Sequence, residues 1–247
     1  MKEEITREIE KKQKKLRIAK FLATCGIASR RKCEELVLNK KIKVNGITIC
    51  DLSYKVSSQD KVEYSGKILK LKEKIVIALN KPPGYISTAR DDFKRKTVLD
   101  LVKEKGARLF PVGRLDADSR GLIILTNDGE LAYRILHPKF KITKVYEVLI
   151  EEKIKDVDII KISKGIEIEG RELFPLSICT IKSDSHSTLL EIKIIEGRKR
   201  IIRKTFASLG YRVLDLKRTQ IGCYRLKDLE ESSYRILNKA EISSILS

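Results

Sequence analysis

One stretch of the chain restricts its fold more than any other: residues 113–130, GRLDADSRGLIILTNDGE. A tight turn at 113–116 leads through Ser119 and Gly121 into the apolar run LIIL, and Asn127-Asp128-Gly129 turns out of that run into a helix. A short apolar run bounded by turn signals reads as a buried strand, and a buried strand needs a sheet around it and cover over it. Further strand-like runs fall at 76–79, 145–150 and 189–195, separated by turns and by helical stretches near 97–105, 129–136 and 198–209. Strands of mixed burial with a few helices predict an α+β domain built on a large mixed sheet and occupying 75–247. No internal repeat or low-complexity segment interrupts it.

Upstream the pattern changes. Residues 1–15 read as a basic N-terminal arm to which no fold is assigned. In LRIAKFLATCGIASRRKCEELVLNKKIKVNG, Leu16, Phe21, Leu22 and Ile27 surround a stop at Gly26. Ser29 is placed to cap a second helix that turns Cys33, Leu36 and Val37 inward. KIKVNGITI then gives two alternating strands around Asn45-Gly46, a strong hairpin signal. These elements predict a small α/β unit over 16–64, whose exposed face carries Arg30, Arg31, Lys32, Lys40, Lys41 and Lys43 against only Glu34 and Glu35. The lysine-rich SGKILKLKEK, 65–74, is expected to link the two domains.

That excess of cations extends to the whole chain: 53 Lys+Arg against 34 Asp+Glu, a formal charge of +19. Such a surface draws phosphate backbones by counterion release. Five cysteines without C-x-x-C spacing, beside His137 and His186, give neither a zinc site nor a disulfide framework. The N-terminus lacks a signal-type apolar core, and no apolar run approaches the ~20 residues of a membrane span. A cytoplasmic protein with reduced thiols, no metal and no membrane contact is expected.

A basic protein that places an acid between an arginine and a buried strand has put it there for structure or for chemistry. Asp118 and Asp128 are each explained by their turns. Asp116, close behind Arg114 and flanked by apolar residues, reads as a partly buried acid in need of a partner. Pattern alone leaves that acid structural or reactive. In the predicted helix at 198–209, Ile201, Ile202, Thr205, Phe206 and Leu209 share one face; Lys199, Arg200, Arg203 and Lys204 share the other; Gly210 ends it. A basic helix face is solvated or binds phosphate, and Tyr146 between valines is by default a core strand residue.

The unit at 16–64 resembles the S4 RNA-binding domain, most specifically in GIASRRKCEEL. Downstream, LNKPPGYISTARDD (79–92), FPVGRLDADSRGLIILTNDGELAYRILHP (110–138), KVYEV (144–148) and EGRKRIIRKTFASLGYRVLDLKRTQIG (196–222) occur in one order. Together they resemble the motifs of the bacterial ribosomal-RNA pseudouridine synthases of the RsuA/RluB family, which carry an N-terminal S4 domain, and the match spans about 16–227. The resemblance implies a catalytic domain with a mixed, mainly antiparallel sheet flanked by helices. It implies conversion of a uridine in RNA to pseudouridine without metal, nucleotide or other cofactor. The family's catalytic aspartate falls on Asp116, the arginine that neutralises it on Arg203, and the tyrosine that stacks on the extruded base on Tyr146. Arg114 resembles the arginine that fills the gap left in the RNA, with a salt bridge to a nearby acid as the alternative. Lys81 and Pro82 fall in the first motif and are expected to support the tyrosine. Lys199, Arg200 and Lys204 join the S4-like cations as expected RNA contacts.

This assignment makes chemical sense. The isomerisation breaks the N1 glycosidic bond, turns the base and rejoins it through C5 to the same ribose. One carboxylate serves either as a nucleophile or as a base toward a ribose proton, and the sequence leaves both routes open. The target base must first leave its stack. Where the family reads R-Q-V-R-R-M, this chain has Arg200, Ile201, Ile202, Arg203, Lys204, Thr205, so an amide near the site and a buried sulfur are lost. The SRRKCEEL and FPVGRLD regions lean toward the RluB-like, large-subunit branch, with small-subunit rRNA as the alternative. A monomer acting on a structured rRNA stem-loop or an assembly precursor, without a protein partner, is expected. Two readings from other classes compete: a non-catalytic RNA-binding or ribosome-assembly protein, and a metal-dependent nuclease using Asp116, Asp118 and Asp128.

Overall fold

The computed structural model describes residues 15–104 and 106–247. The arm read at 1–15 thus lies, but for Lys15, outside the described residues. The chain divides into two compact units that meet in sequence at Lys74 and Ile75.

In the first unit, β1 (Leu16–Arg17) runs into α1 (Ile18–Thr24), followed by α2 (Arg30–Leu38), β2 (Ile42–Val44), β3 (Ile47–Ile49), β4 (Lys55–Val56), β5 (Val62–Tyr64) and β6 (Lys67–Ile68). The Ser29 side chain caps α2 by accepting the Lys32 N–H at 3.3 Å. Asn45 and Gly46 both take positive φ, 51° and 82°, as a two-residue hairpin of primed type requires, and they pair Val44 with Ile47. Four antiparallel strands in the order β3-β2-β5-β6 form the sheet, and β1 pairs separately with β4. Ile18, Leu22, Cys33, Val37, Ile42, Val44 and Val62 close the core between sheet and helices. The expected linker needs correcting: residues 67–68 pair with β5, and Leu69 packs on this core, so 65–74 is not a free tether along its length. A lysine-rich strand on a sheet edge carries the same composition as a linker, which is why the sequence misleads there.

The second unit contains β7 (Val76–Lys81), β8 (Phe110–Val112), β9 (Arg120–Thr126), α3 (Gly129–Leu136), β10 (Lys144–Glu151), α4 (Asp156–Lys164), β11 (Ile166–Ile168), β12 (Arg171–Leu173), β13 (Ser177–Ser183), β14 (Ser187–Ile194), α5 (Ile201–Ser208), β15 (Val213–Ile221), β16 (Tyr224–Arg225), β17 (Tyr234–Ile236) and α6 (Lys239–Ile245). Its sheet runs β13-β14-β10-β15-β9-β7-β17, with β8 beside β9 and β16 beside β15. Among the described strands of this sheet only β15 and β9 pair in parallel, so the sheet is mixed and mainly antiparallel, as expected. The run at 122–125 lies in β9, inside the sheet. Alternation sends Ile123 and Leu125 to one core with Ile77, Leu79, Val148 and Phe206. Leu122 and Ile124 enter a second core with Val76, Ala78, Leu131, Ile135 and Ile245. Helix α5 thus covers one face, and α3 and α6 cover the other.

Two helical expectations shift. The stretch near 97–105 is a single 3-10 turn, Val98–Leu101, fixed by a reciprocal Thr97/Asp100 capping box. The helix expected from 198 starts at Ile201, because Arg200 takes a left-handed backbone, φ 55°. Lys199 and Arg200 therefore sit in the loop before α5, whereas Ile201, Ile202, Thr205 and Phe206 are buried as the pattern required.

Candidate active site

Asp116 lies in the loop between β8 and β9, and that loop is tied down from several sides. Lys81, at the end of β7 and 0% exposed, donates from Nζ to the carbonyls of Ser119 (2.6 Å), Pro82 (3.0 Å) and Ala117 (3.3 Å). Gly84 N–H donates to Ala117 O at 2.7 Å, and Ser119 N–H to Asp116 O at 3.1 Å. The Ser87 hydroxyl donates to Leu115 O at 2.9 Å and accepts from Leu115 N–H at 3.1 Å. The loop's exit is fixed by Gly121, at φ 102°: a Cβ there would lie 2.3 Å from the carbonyl oxygen of Arg218 on the parallel neighbour β15. Burial pushes the Lys81 ammonium down to about 8, against a smaller opposing pull from Asp118 and Asp116.

These ties put Asp116 on the wall of a cavity of about 210 Å³, with Arg114, Tyr146, Lys199 and Arg200 on its other walls and Leu115, Ile194, Ile202 and Leu216 behind them. The Asp116 side chain is 30% exposed, and its ion pair comes from Arg200, Nη1 to Oδ2 at 3.7 Å. Arg200 also reaches both carboxylate oxygens of Asp118 at 3.4 Å. Tyr146, on β10, is buried; Arg218 lies behind it, Nη1 3.5 Å from its hydroxyl and the guanidinium carbon 6.0 Å from the ring centroid.

Sequence reasoning expected Arg203 to neutralise Asp116. The geometry gives Arg203 another post. It donates to Val213 O (3.1 Å), Asp118 O (3.2 Å) and Ser119 Oγ (3.3 Å), and its guanidinium is 3.5 Å from the Asp118 carboxylate. In the first turn of α5 and only 11% exposed on its side chain, it braces the far side of the aspartate loop. The left-handed backbone at Arg200, not helical periodicity, turns the partner cation toward Asp116. Lys81 likewise holds the aspartate loop where support for the tyrosine was expected. No sequence pattern points to a lysine fully buried against carbonyls.

The remaining candidates separate. Arg114 is exposed, lines the cavity and forms no ion pair among the described residues, so the salt-bridge alternative is not seen. Lys199 is exposed on the cavity rim. Lys204 is ion-paired with Glu169 at the β11–β12 turn. In the first unit Arg30, Arg31 and Lys32 occupy the first turn of α2, and Lys40, Lys41 and Lys43 follow its C-terminal end. All six are exposed, but they stand at the two ends of the helix instead of along one face. Arg30 and Lys32 pair with Glu34 (3.6 Å) and Glu35 (2.6 Å). Ile201 lines the cavity, so the departure from the family's glutamine alters its wall; Thr205 is buried and donates back to Ile201 O at 2.9 Å. The nuclease reading loses its donors. Asp128 caps α3 by accepting Glu130 and Leu131 N–H, and among the described residues no three His, Cys, Asp or Glu side chains converge as a metal site would need.

One cavity thus joins the Asp116 carboxylate, the Arg200 guanidinium facing it and the Tyr146 ring, on a mixed sheet. The family model for RNA pseudouridylate synthase matches residues 75–208, and the S4 domain model matches 16–62. An RNA pseudouridine synthase of Aquifex aeolicus (strain VF5) is 43% identical, covering 93% of each chain. The ribosomal large subunit pseudouridine synthase B of Bacillus subtilis (strain 168) is 36% identical over 93% of this chain and 95% of its own. A crystal structure of a pseudouridylate synthase superimposes with a TM-score of 0.66 at 28% identity, covering 93% of this chain and 99% of that one. The chain belongs to the RNA pseudouridine synthase family and carries an S4 domain ahead of its catalytic domain. Among the described residues no helix is long and apolar enough to cross a membrane.

Proposed function

We propose that this protein isomerises one uridine of folded large-subunit ribosomal RNA, with Asp116 as its catalytic carboxylate, Arg200 as the cation beside it and Tyr146 as the ring that receives the extruded base. The meeting of these three side chains on one cavity carries the reading. The large-subunit target is supported by the likeness to the Bacillus subtilis enzyme. The exposed cations of the S4 domain supply phosphate contacts, and specificity comes mostly from RNA shape.

In the reaction the C1′–N1 bond breaks, C5 bonds to C1′, the C5 proton is lost and N1 gains one. Asp116 acts either by attacking C1′ or C6 as a nucleophile or by removing the C2′ proton. In both routes the carboxylate must stay fixed against a base that turns beside it. Arg200 holds it electrostatically, Tyr146 offers the turning base an apolar face, and Arg114, without a carboxylate partner among the described residues, takes the place vacated in the RNA stack.

The test is tritium release from transcripts labelled at uridine C5. Wild-type protein releases one equivalent per large-subunit transcript. Asp116→Asn binds RNA but releases none. Measurable turnover by that variant overturns the assignment of Asp116. Mapping pseudouridine in both rRNAs of cells with and without the protein locates the target: loss of one large-subunit signal supports the reading, and loss of a small-subunit signal alone refutes its large-subunit part.

A further inference from the structure

A second cavity, of about 420 Å³, opens on the other side of the Asp116 loop, sharing Arg114, Leu115, Asp116 and Lys199 with the catalytic one. Its outer wall is the loop 88–96, TARDDFKRK, which projects Phe93 with 79% of its surface exposed. Phe93 is the most exposed of the large apolar side chains among the described residues, and covering such a ring is favourable.

The loop is built to hold that ring outward. Asp91, only 5% exposed on its side chain, accepts the backbone N–H groups of Phe93 (3.1 Å) and Arg95 (2.8 Å) and a guanidinium N–H of Arg95 (2.6 Å). This fixes the backbone on both sides of Phe93 without burying its side chain. The Arg95 guanidinium lies over one face of the ring, 5.1 Å from the centroid, which leaves the opposite face open. Arg90 pairs with Asp92 at 3.0 Å, so the arginines of the loop stay in the loop. Arg114 and Lys199, which line the cavity, in contrast form no ion pair among the described residues. An open aromatic face with unpaired cations around a cavity matches a nucleotide: a planar base for the ring and phosphates for the ammonium and guanidinium groups.

We propose that Phe93 is a substrate-positioning residue that stacks on a nucleobase adjacent to the target uridine, and that the 420 Å³ cavity receives that nucleotide. The base, the phenyl ring and the Arg95 guanidinium form a three-layer stack that anchors the RNA on one side of Asp116 while the uridine enters the other. Every base has a π-face, so the contact grips without reading sequence, and larger purines stack best. The proposal rests on RNA as the substrate of this site, whichever ribosomal subunit supplies it.

Phe93→Ala tests it in tritium release on full-length large- and small-subunit transcripts. Loss of one stacked base predicts a KM raised roughly 5- to 100-fold, with kcat changed less than about twofold and with Phe93→Tyr restoring KM. An unchanged KM for Phe93→Ala overturns the proposal, and so does a KM that Phe93→Tyr leaves raised. The chain has no tryptophan, so Phe93→Trp places a single indole at the position in question, excited selectively at wavelengths where the tyrosines do not absorb. Titration with each transcript should quench its emission by half or more, and emission unchanged at saturation, with binding verified by filter retention, refutes the stack. This second readout does not require turnover. Quenching without tritium release would leave Phe93 in place and overturn the catalytic reading instead.

Discussion

Lys81 gives the most demanding test of how the aspartate loop is held. Lys81→Met keeps most of the side chain's volume but removes an ammonium that binds the carbonyls of Ser119, Pro82 and Ala117. An orphaned buried carbonyl costs about 1–3 kcal/mol. Against that, the wild-type ammonium bears a desolvation penalty, seen in its shift from 10.5 to about 8, which the variant escapes. The net expectation is a loss of about 2–3 kcal/mol in urea unfolding. The larger effect falls on activity. Residues 117–119 lose their common anchor, and misplacing a catalytic group by 1 Å costs on the order of 10²-fold in kcat. Tritium release should therefore fall by about that factor, with KM nearly unchanged.

The same shift fixes a pH signature. Below pH 8 the lysine is protonated folded and unfolded, and the folded state carries the full burial penalty. Between about 8 and 10.5 the unfolded chain binds the proton that the folded one has released, so the Lys81 contribution to stability rises with pH across that window. The stability gap between wild type and Lys81→Met should widen there by up to about 3 kcal/mol. Lys144, pushed down to about 8 by burial as well, is present in both proteins and cancels. A gap that stays flat from pH 8 to 10.5 would show that burial does not depress the Lys81 ammonium, and a variant with wild-type kcat would show that the ammonium does not hold the loop.

Arg200→Met and Arg203→Met should fail in different ways. The first removes the cation facing Asp116 from a side chain 40% exposed, so kcat drops on the order of 10²-fold with the unfolding midpoint nearly unchanged. The second strips bonds to Val213 O, Asp118 O and Ser119 Oγ and should cost about 2–3 kcal/mol of stability. Steady-state kinetics beside urea melts separates them, and swapped phenotypes would return the neutralising role to Arg203. Gly121→Ala drives a methyl group into the Arg218 backbone at positive φ and should cost more than about 3 kcal/mol; a variant with a wild-type circular dichroism melt would contradict the close strand approach.

What the sequence shows and what it hides divide along physical lines. The run at 122–125, the Asn45-Gly46 hairpin, the Ser29 cap and the apolar face of α5 are legible because local periodicity and turn chemistry determine them. Asp116 and Tyr146 are legible only through ordered motifs, since an acid in a turn and a tyrosine in a strand have ordinary structural uses. Arg200 and Arg203 are three positions apart in a pattern that reads as one helix. A single residue in the left-handed region separates their roles, and nothing in the amino-acid types marks it. Lys81 is hidden for a similar reason: its partners are carbonyls brought together across 38 positions of chain, and backbone oxygens have no sequence signature.

Carbonyls serve other cations of this unit as they serve Lys81: Lys144 donates to the carbonyls of Ile142 and Ile195, Arg218 to Leu122, and Arg198, which also pairs with Glu196, to Ile168, Arg171 and Glu172. A carbonyl satisfies the donor but does not cancel its charge. Among the described residues Lys144 and Arg218 form no ion pair, and the coulombic push of Arg218 adds to the burial that lowers Lys144. The Arg218 charge lies behind Tyr146, in a medium of low dielectric where water screens it least. A base that turns negative as its glycosidic bond breaks would enter that field ring-first, whereas a neutral base would gain little from it. On the proposed reading that cation would favour the transition state over the bound uridine, which is the difference on which catalysis depends.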